Sequence, residues 1–185
     1  MRRDIARTVL VVAEQPQLWG AIRDRVDPSL ALVRSARPDR LGEMWARADP
    51  WPWLVVGAAT RVPDQLGELL AGRPVPVRWL RQPEGVLPAG CVVHPTWASL
   101  ARGLDAIAGA AAGCGLRFAP RRGVRTPGGA HLDRVPELEG LMAAHPGGLA
   151  PFPGLARARR ALDRHRLPCR LSEGGGLVRL VEAPA

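Results

Sequence analysis

The 185-residue sequence contains no lysine, no asparagine and no tyrosine, and it has only two phenylalanines and three cysteines. Because lysine is absent, all 26 basic side chains are arginines. Lysine, asparagine, tyrosine and phenylalanine have AT-rich codons, so part of the arginine excess reflects codon usage. The formal net charge of +9 therefore favours an anionic partner only where the arginines are concentrated on one part of the chain.

Cysteine pairs and long hydrophobic runs are also missing. The three cysteines lie far apart and form no CxxC pair, which argues against a zinc site and a disulfide framework. The apolar run Val9–Ala13 stops at Glu14 and is too short for a signal peptide. The alanine-rich segment 104–116 is too short and too polar to span a bilayer. We expect a cytoplasmic protein with no metal, no cofactor and no membrane contact.

No set of residues has the spacing of a catalytic motif. The sequence has no nucleophile elbow, no HExxH motif and no paired carboxylates at a fixed spacing. The run Gly174–Gly176 lacks the lysine and threonine of a phosphate loop and follows no buried strand, so it predicts a hairpin turn. We therefore predict that the protein is not an enzyme.

The first half of the chain alternates apolar runs with amphipathic segments. Five runs predict buried strands, at Thr8–Val12, Leu30–Val33, Trp53–Val56, Val75–Leu80 and Cys91–Val93. Helices are expected from Pro16, with Asp39 as an N-cap, from Pro63-Asp64, and over residues 96–112. This alternation predicts an α/β fold, in which a five-stranded parallel sheet is covered by helices on both faces.

The second half differs in charge and in pattern. Residues 1–113 hold 14 arginines and 11 acidic residues, whereas residues 114–185 hold 12 arginines and 6 acidic residues. The shorter segment thus carries a net charge of +6 against +3. Its pattern predicts short antiparallel strands, a helix from Pro136, a helix over Leu155–Leu167 and a hairpin of Cys169–Leu171 with Leu177–Val181. We predict two domains, 1–113 and 114–185, the second of them a small α+β domain.

Two segments of the first half resemble a known family. VLVVAEQPQL resembles the first strand and acidic loop of the receiver domains of two-component response regulators, and CVVHPTWASL resembles their fifth strand and Lys-Pro turn. In that family an acidic pair holds Mg²⁺, an aspartate after the third strand accepts the phosphoryl group, and the lysine neutralises it. The corresponding positions here are Ala13, Glu14, Gly57, Ala58 and His94. Phosphoryl acceptance needs a carboxylate and a metal site, so the resemblance implies a receiver domain that has lost this chemistry.

Other features of the first half leave alternatives open. Only ten residues separate Leu80 from Cys91, too few for the fourth receiver helix, through whose surface such domains commonly pair. The sequence therefore leaves open whether the protein forms a homodimer, but it does not predict pairing through that surface. Four residues near the ends of strands are candidates for a ligand or partner site, with core filling as the alternative: Trp53, Trp79, His94 and Trp97. His94 is either a turn residue or a pH-sensing or ligand-binding group.

The second half resembles OmpR-type winged-helix effector domains. LRFAPRRGVRTPGGAHLDRVPELEGLMAAHPGGL, residues 116–149, resembles the start of that domain, and LARARRALDRHRLPCRLSEGGGLVRLV, residues 155–181, resembles its recognition helix and wing. Family members have a positioning helix between these two parts. Here only LAPFPG intervenes, so the helix-turn-helix lacks its first helix.

The arginines of the second half are the predicted DNA-binding residues. In a helix starting at Leu155, apolar residues lie on one side and arginines on the other. The predicted contacts are Arg157, Arg159, Arg160, Arg164, Arg166, Arg170 and Arg179, with a solvated face as the alternative. The resemblance implies a phosphorylation-independent transcription regulator that binds double-stranded DNA. The alternative is a protein-interaction scaffold, which would bind a protein partner and no longer bind DNA.

Overall fold

A five-stranded parallel sheet forms the first part of the protein in the computed structural model, which describes residues 7–108, 115–120 and 123–184. Its strands are β1 (Arg7–Val12), β2 (Ala31–Ala36), β3 (Leu54–Gly57), β4 (Val77–Leu80) and β5 (Val92–His94). They lie in the order β2-β1-β3-β4-β5, and all neighbours are parallel. This is a doubly wound order with its switch point between β1 and β3. The predicted α/β fold with a receiver-like parallel sheet is confirmed.

Four helices accompany this sheet. They are α1 (Pro16–Arg23), α2 (Leu41–Ala46), α3 (Leu66–Leu70) and α4 (Trp97–Ala108). Asp39 does not cap a helix as predicted, because it lies within a 3-10 turn, Pro38–Arg40, and α2 begins after it with no side-chain cap. The predicted extension of α4 to residue 112 lies outside the described residues.

Both faces of the sheet are buried around the central strand β1. All six residues of β1 are buried, as expected for a strand with layers above and below it. On one face Leu10 and Val55 pack in a cluster with Leu41 of α2 and Leu66 of α3. On the other face the apolar cluster extends from Val9 far into the second half of the chain.

The second half contains two small antiparallel sheets and two helices. The strands β6 (Arg117–Phe118), β7 (Val124–Arg125) and β8 (His131–Leu132) form one sheet, and β9 (Cys169–Gly174) pairs with β10 (Leu177–Glu182) in a hairpin. Between them lie α5 (Pro136–Ala144) and α6 (Leu155–Arg164). These elements agree with the pattern predicted from the sequence. The expected domain boundary near residue 113 falls in 109–114, outside the described residues.

Helix α5 packs against the parallel sheet. Every residue from Glu137 to Ala144 is buried, and Leu138, Leu141 and Met142 belong to the same apolar cluster as Val9 and Val11. A Cβ at Gly140 would collide with the carbonyl oxygen of Pro74, just before β4. Glycine therefore lets the helix approach the chain at that point more closely than any other residue would allow.

The two connections that look shortened in sequence meet in space. Residues 81–91, between β4 and β5, form no helix, and neither do residues 145–154, between α5 and α6. A Cβ at Gly90 in the first connection would collide with the carbonyl oxygen of Gly148 in the second. Leu149 also forms an antiparallel bridge with Val178 of β10. The second connection is thus held between the parallel sheet and the hairpin.

Within the described residues no helix has the length and apolar character needed to cross a membrane.

Candidate functional site

An aromatic side chain fills the space at Gly57, one of the two positions that the sequence resemblance places at the phospho-acceptor. Gly57 ends β3, and a Cβ there would collide with the indole ring of Trp79 on β4. Trp79 is completely buried, and its Nε1 donates a hydrogen bond to the carbonyl oxygen of Ala59 at 3.1 Å. A carboxylate at position 57 has no space, so this edge of the sheet lacks both the acceptor group and the room for one.

Glu14 is engaged with the loop after β3. Its Oε1 accepts hydrogen bonds from the hydroxyl and the backbone N–H of Thr60, at 2.8 and 3.4 Å. The flanking positions Ala13 and Ala58 are half-buried and have no polar side chain. The described part of the chain contains no group of three His, Cys, Asp or Glu residues that could hold a metal ion.

His94, which the sequence resemblance places at the lysine position of receivers, is buried. Its Nε2 lies 3.3 Å from Nη1 of Arg78, and its Nδ1 lies 3.0 Å from Oγ of Ser99. A guanidinium only donates hydrogen bonds, so Nε2 accepts and Nδ1 carries the proton. Burial lowers the pKa of His94, and the charge of Arg78 lowers it further, whereas a hydrogen bond with the Ser99 backbone raises it. His94 therefore does not replace the lysine as a cation.

Two of the four candidates for a ligand site, Trp53 and Trp79, lie on opposite faces of the sheet. Trp79 packs in the cluster under α2 and α3, whereas Trp53 and Trp97 belong to the cluster on the opposite face of the sheet. Trp53 makes an edge-to-face contact with Phe118, with ring centroids 4.7 Å apart. Trp79 and Trp53 thus fill the core, which was the alternative interpretation, and buried His94 is held by Arg78.

Helix α6 has the amphipathic character predicted for it. Ala158 and Leu162 are buried, while Arg157, Arg160 and Arg164 are exposed. Arg159 is also exposed, on the flank of the helix nearest the hairpin, where it pairs with Glu173 of β9. Guanidinium groups therefore lie on two sides of helix α6.

Carboxylates engage two of these arginines. Arg157 Nη1 lies 3.2 Å from Oε1 of Glu137, a carboxylate of α5 that is only 7% exposed. Arg159 pairs with Glu173 at the surface. Among the described residues no such ion pair involves Arg160 or Arg164, so these two are the predicted contacts on α6 that remain available to an external anion.

Three arginines of α6 line a groove next to β8. The groove has a volume of about 440 Å³ and is bounded by Arg157, Arg160 and Arg164, with His131 and Asp133 on the opposite side. Its other lining residues are Leu132, Val135, Leu138, Ala161 and His165. His131, His165 and Glu137 were not predicted from the sequence as members of this site. No local motif connects His131 or Glu137 with α6, whereas His165 directly follows the helix.

The remaining predicted contacts lie beyond the end of α6. Arg166 follows the helix with a φ of 48°, and its side chain is exposed. Arg179 of β10 pairs with Ser172 of β9 across the hairpin, two residues from Arg170, so both arginines lie on one face. The other face carries buried Cys169, Val178 and Leu180. The hairpin thus turns its arginines away from the core.

In comparisons with known proteins, no family model and no curated sequence matches this chain.

Proposed function

We propose that the protein is a phosphorylation-independent, DNA-binding transcription regulator. The observation that carries this proposal is the set of exposed arginines on α6, beside a hairpin whose outer face carries Arg170 and Arg179. Guanidinium groups match the geometry of phosphate oxygens and of the guanine edge in the major groove. Two adjacent arginine-bearing elements favour a polyanion over a small anion.

The order of elements from β6 to β10 supports a shortened winged-helix arrangement. In this proposal α6 acts as the recognition helix and the hairpin β9–β10 as the wing. A winged helix places its recognition helix in the major groove while the wing contacts the neighbouring backbone. Arg160 and Arg164 would approach DNA from the helix, and Arg170 and Arg179 from the wing.

The receiver-like sheet would serve as a platform rather than as a phosphorylated switch. Trp79 fills the space at Gly57, and His94 is neutral and held by Arg78. The sheet instead supports α5, which in turn packs close to α6. We propose that the DNA-binding surface is presented without a phosphoryl signal.

A DNA titration tests this proposal. Binding of a fluorescently labelled duplex, followed by anisotropy, should weaken steeply with salt because bound arginines release counterions. Replacing Arg157, Arg160 and Arg164 together with alanine should largely abolish binding. The magnitude of the log–log salt slope should fall by roughly 1.8, because Arg160 and Arg164 are the two of these arginines without a carboxylate partner in the described part of the chain.

The matched control replaces three exposed arginines of the first half, Arg23, Arg37 and Arg47, whose side chains are 54, 77 and 57% exposed. This variant loses three positive charges, as the α6 variant does. The exposed ion pairs that it breaks contribute little to stability. It should bind DNA nearly as the unmodified protein does. Equal binding by the α6 variant and the unmodified protein would refute the assignment.

A protein-interaction module is the second candidate. It is favoured by the carboxylates on Arg157 and Arg159 and by the absence of a helix in residues 145–154, where a positioning helix would stabilise the recognition helix. In this case the protein shows no affinity for DNA in vitro. It then retains a protein partner after nuclease treatment of the extract, and the α6 variant loses that partner.

A further inference from the structure

The groove between β8 and α6 has both apolar and cationic lining residues. Val135, Leu138 and Ala161 are among its apolar lining residues, and Leu138 is only 1% exposed. Arg157, Arg160 and Arg164 line one side at positions i, i+3 and i+7 of the helix. At 1.5 Å per residue these arginines span roughly 10 Å along the helix axis. The cations therefore form a row rather than a single point charge.

One arginine of the row is held in place by the protein. Arg157 donates to Glu137, whose Oε1 lies 3.2 Å away and whose Oε2 is buried with no hydrogen-bond partner in the structure. Glu137 thus supplies a counter-charge to Arg157 and fixes the direction of its side chain. Arg160 and Arg164 are exposed and are not engaged in this way by an acidic side chain of the described chain.

We infer that this groove binds phosphate groups, and that Arg160 and Arg164 act as sequence-independent contacts to them. The inference rests on the proposed function, because it assigns a role to part of the same surface. Both side chains line a groove on the flank of α6 toward β8, rather than projecting only outward from the helix. Contacts of this kind fix the position of a protein on DNA, whereas reading of the sequence depends on contacts to base edges.

The phosphate has two possible sources, the backbone of DNA and a free phosphate compound. The groove volume of about 440 Å³ leaves room for either a backbone segment or a small phosphate ligand. The shared chemistry is a phosphate oxygen that accepts hydrogen bonds from two guanidinium groups one helical turn apart. Separate experimental arms distinguish the two sources.

The first arm compares two duplexes of equal length, one GC-rich and one AT-rich, with the variant Arg160→Ala/Arg164→Ala. Affinity should fall by the same factor on both duplexes, and the magnitude of the salt slope should decrease by about 1.8. The variant Arg160→Lys/Arg164→Lys should recover most of the affinity on both, since lysine serves as a point charge for phosphate but not as a bidentate donor to guanine. Arg23→Ala/Arg47→Ala is the control of equal charge.

The second arm titrates inorganic pyrophosphate into the unmodified protein and the same variants by calorimetry. Binding that is lost in Arg160→Ala/Arg164→Ala and retained in the control supports the groove as a phosphate site, even if no duplex binds. In that outcome the proposed function fails, and the inference stands with a free phosphate compound as the ligand of the groove.

Three results would overturn the inference. A loss of affinity on only one duplex would assign Arg160 and Arg164 to base reading and leave the proposed function intact. Unchanged DNA binding by the alanine variant would place the contact surface elsewhere. If neither duplex nor pyrophosphate binds the unmodified protein, the inference and the proposed function both fail. Circular dichroism of each variant checks that the exposed substitutions leave the fold unchanged.

Discussion

Arg7 on β1 and Glu139 on α5 form a buried ion pair, with Nη2 of the arginine 2.7 Å from Oε1 of the glutamate. The two side chains are 3 and 2% exposed, and 132 residues of sequence separate them. Arg134 approaches the other oxygen, Oε2, at 3.1 Å. Arg7 also donates to the carbonyl oxygens of Ala119 and Gly123. This network joins the parallel sheet to the helix that supports the candidate site.

The first prediction concerns the stability of this junction. Glu139→Gln leaves the buried guanidinium of Arg7 without a counter-charge, and breaking a buried pair in this way costs about 3–5 kcal/mol. The free energy of unfolding, measured in urea by tryptophan fluorescence, should fall by that amount. Glu43→Gln, which removes exposed pairs with Arg40 and Arg47, should cost less than about 1 kcal/mol. Equal losses in the two variants would contradict the structural role of the Arg7–Glu139 pair.

The second prediction concerns Gly57. Gly57→Asp restores the carboxylate found in receiver domains, but the new side chain collides with the ring of Trp79. Overpacking of this kind costs about 1–3 kcal/mol, and the buried carboxylate adds to it. The variant should be less stable in urea and should not take up phosphate from acetyl phosphate. Gly67→Asp, at a site with open space, is the control and should remain close to the unmodified protein in stability. Phosphate uptake by Gly57→Asp would show that the site retains receiver chemistry.

The third prediction concerns pH. Burial and the charge of Arg78 lower the pKa of His94 in the folded protein below the value of about 6.5 expected in the unfolded chain. As the pH falls below 6.5, the unfolded chain binds a proton that the folded protein resists, so the stability contribution present above that pH is lost. The free energy of unfolding should therefore decrease from pH 7.5 to pH 5 more steeply in the unmodified protein than in His94→Gln. Identical pH slopes would mean that His94 is not a neutral group held against Arg78.

The fourth prediction concerns Glu173, and it rests on the proposed function. Glu173→Gln frees the exposed Arg159 and removes a negative charge from the hairpin. One additional phosphate contact should steepen the salt slope of DNA binding by about 0.9. Since an exposed pair contributes at most about 1 kcal/mol, affinity should rise by no more than about fivefold. Glu68→Gln on α3 removes the same charge at a distant site and should leave the slope unchanged. Weaker binding by Glu173→Gln would instead make the carboxylate part of the DNA contact.

Local patterns in the sequence predicted most of the elements. Apolar runs such as Val9–Val12 become buried strands, because a strand covered on both faces needs apolar side chains at every position. The spacing of Ala158 and Leu162 predicted the buried side of α6, since a helix places residues four apart on the same face. Strand burial and helix faces depend on residues that are close together in the chain, so they can be predicted from the sequence.

The candidate site was predicted only in part. The exposed arginines of α6 follow from the helical period, but the binding of Arg157 by Glu137 joins residues 20 apart that no local pattern connects. Trp53 and Trp79, which the sequence placed in one candidate ligand site, belong to apolar clusters on opposite faces of the sheet. Which side of the sheet a tryptophan enters depends on the register of its strand and on the free volume left by neighbours such as Gly57.

The sequence by itself determined the α/β alternation, the absence of a carboxylate at Gly57 and Ala58 and the amphipathic arginine helix, because each of these depends on residue type and short-range spacing. Tertiary structure alone decided that α5 packs against the parallel sheet, that Arg7 meets Glu139, and that three arginines share a groove with His131. These relationships arise from the packing of distant apolar surfaces. Charged groups then pair where that packing excludes water, and no single segment carries the information for such a pair.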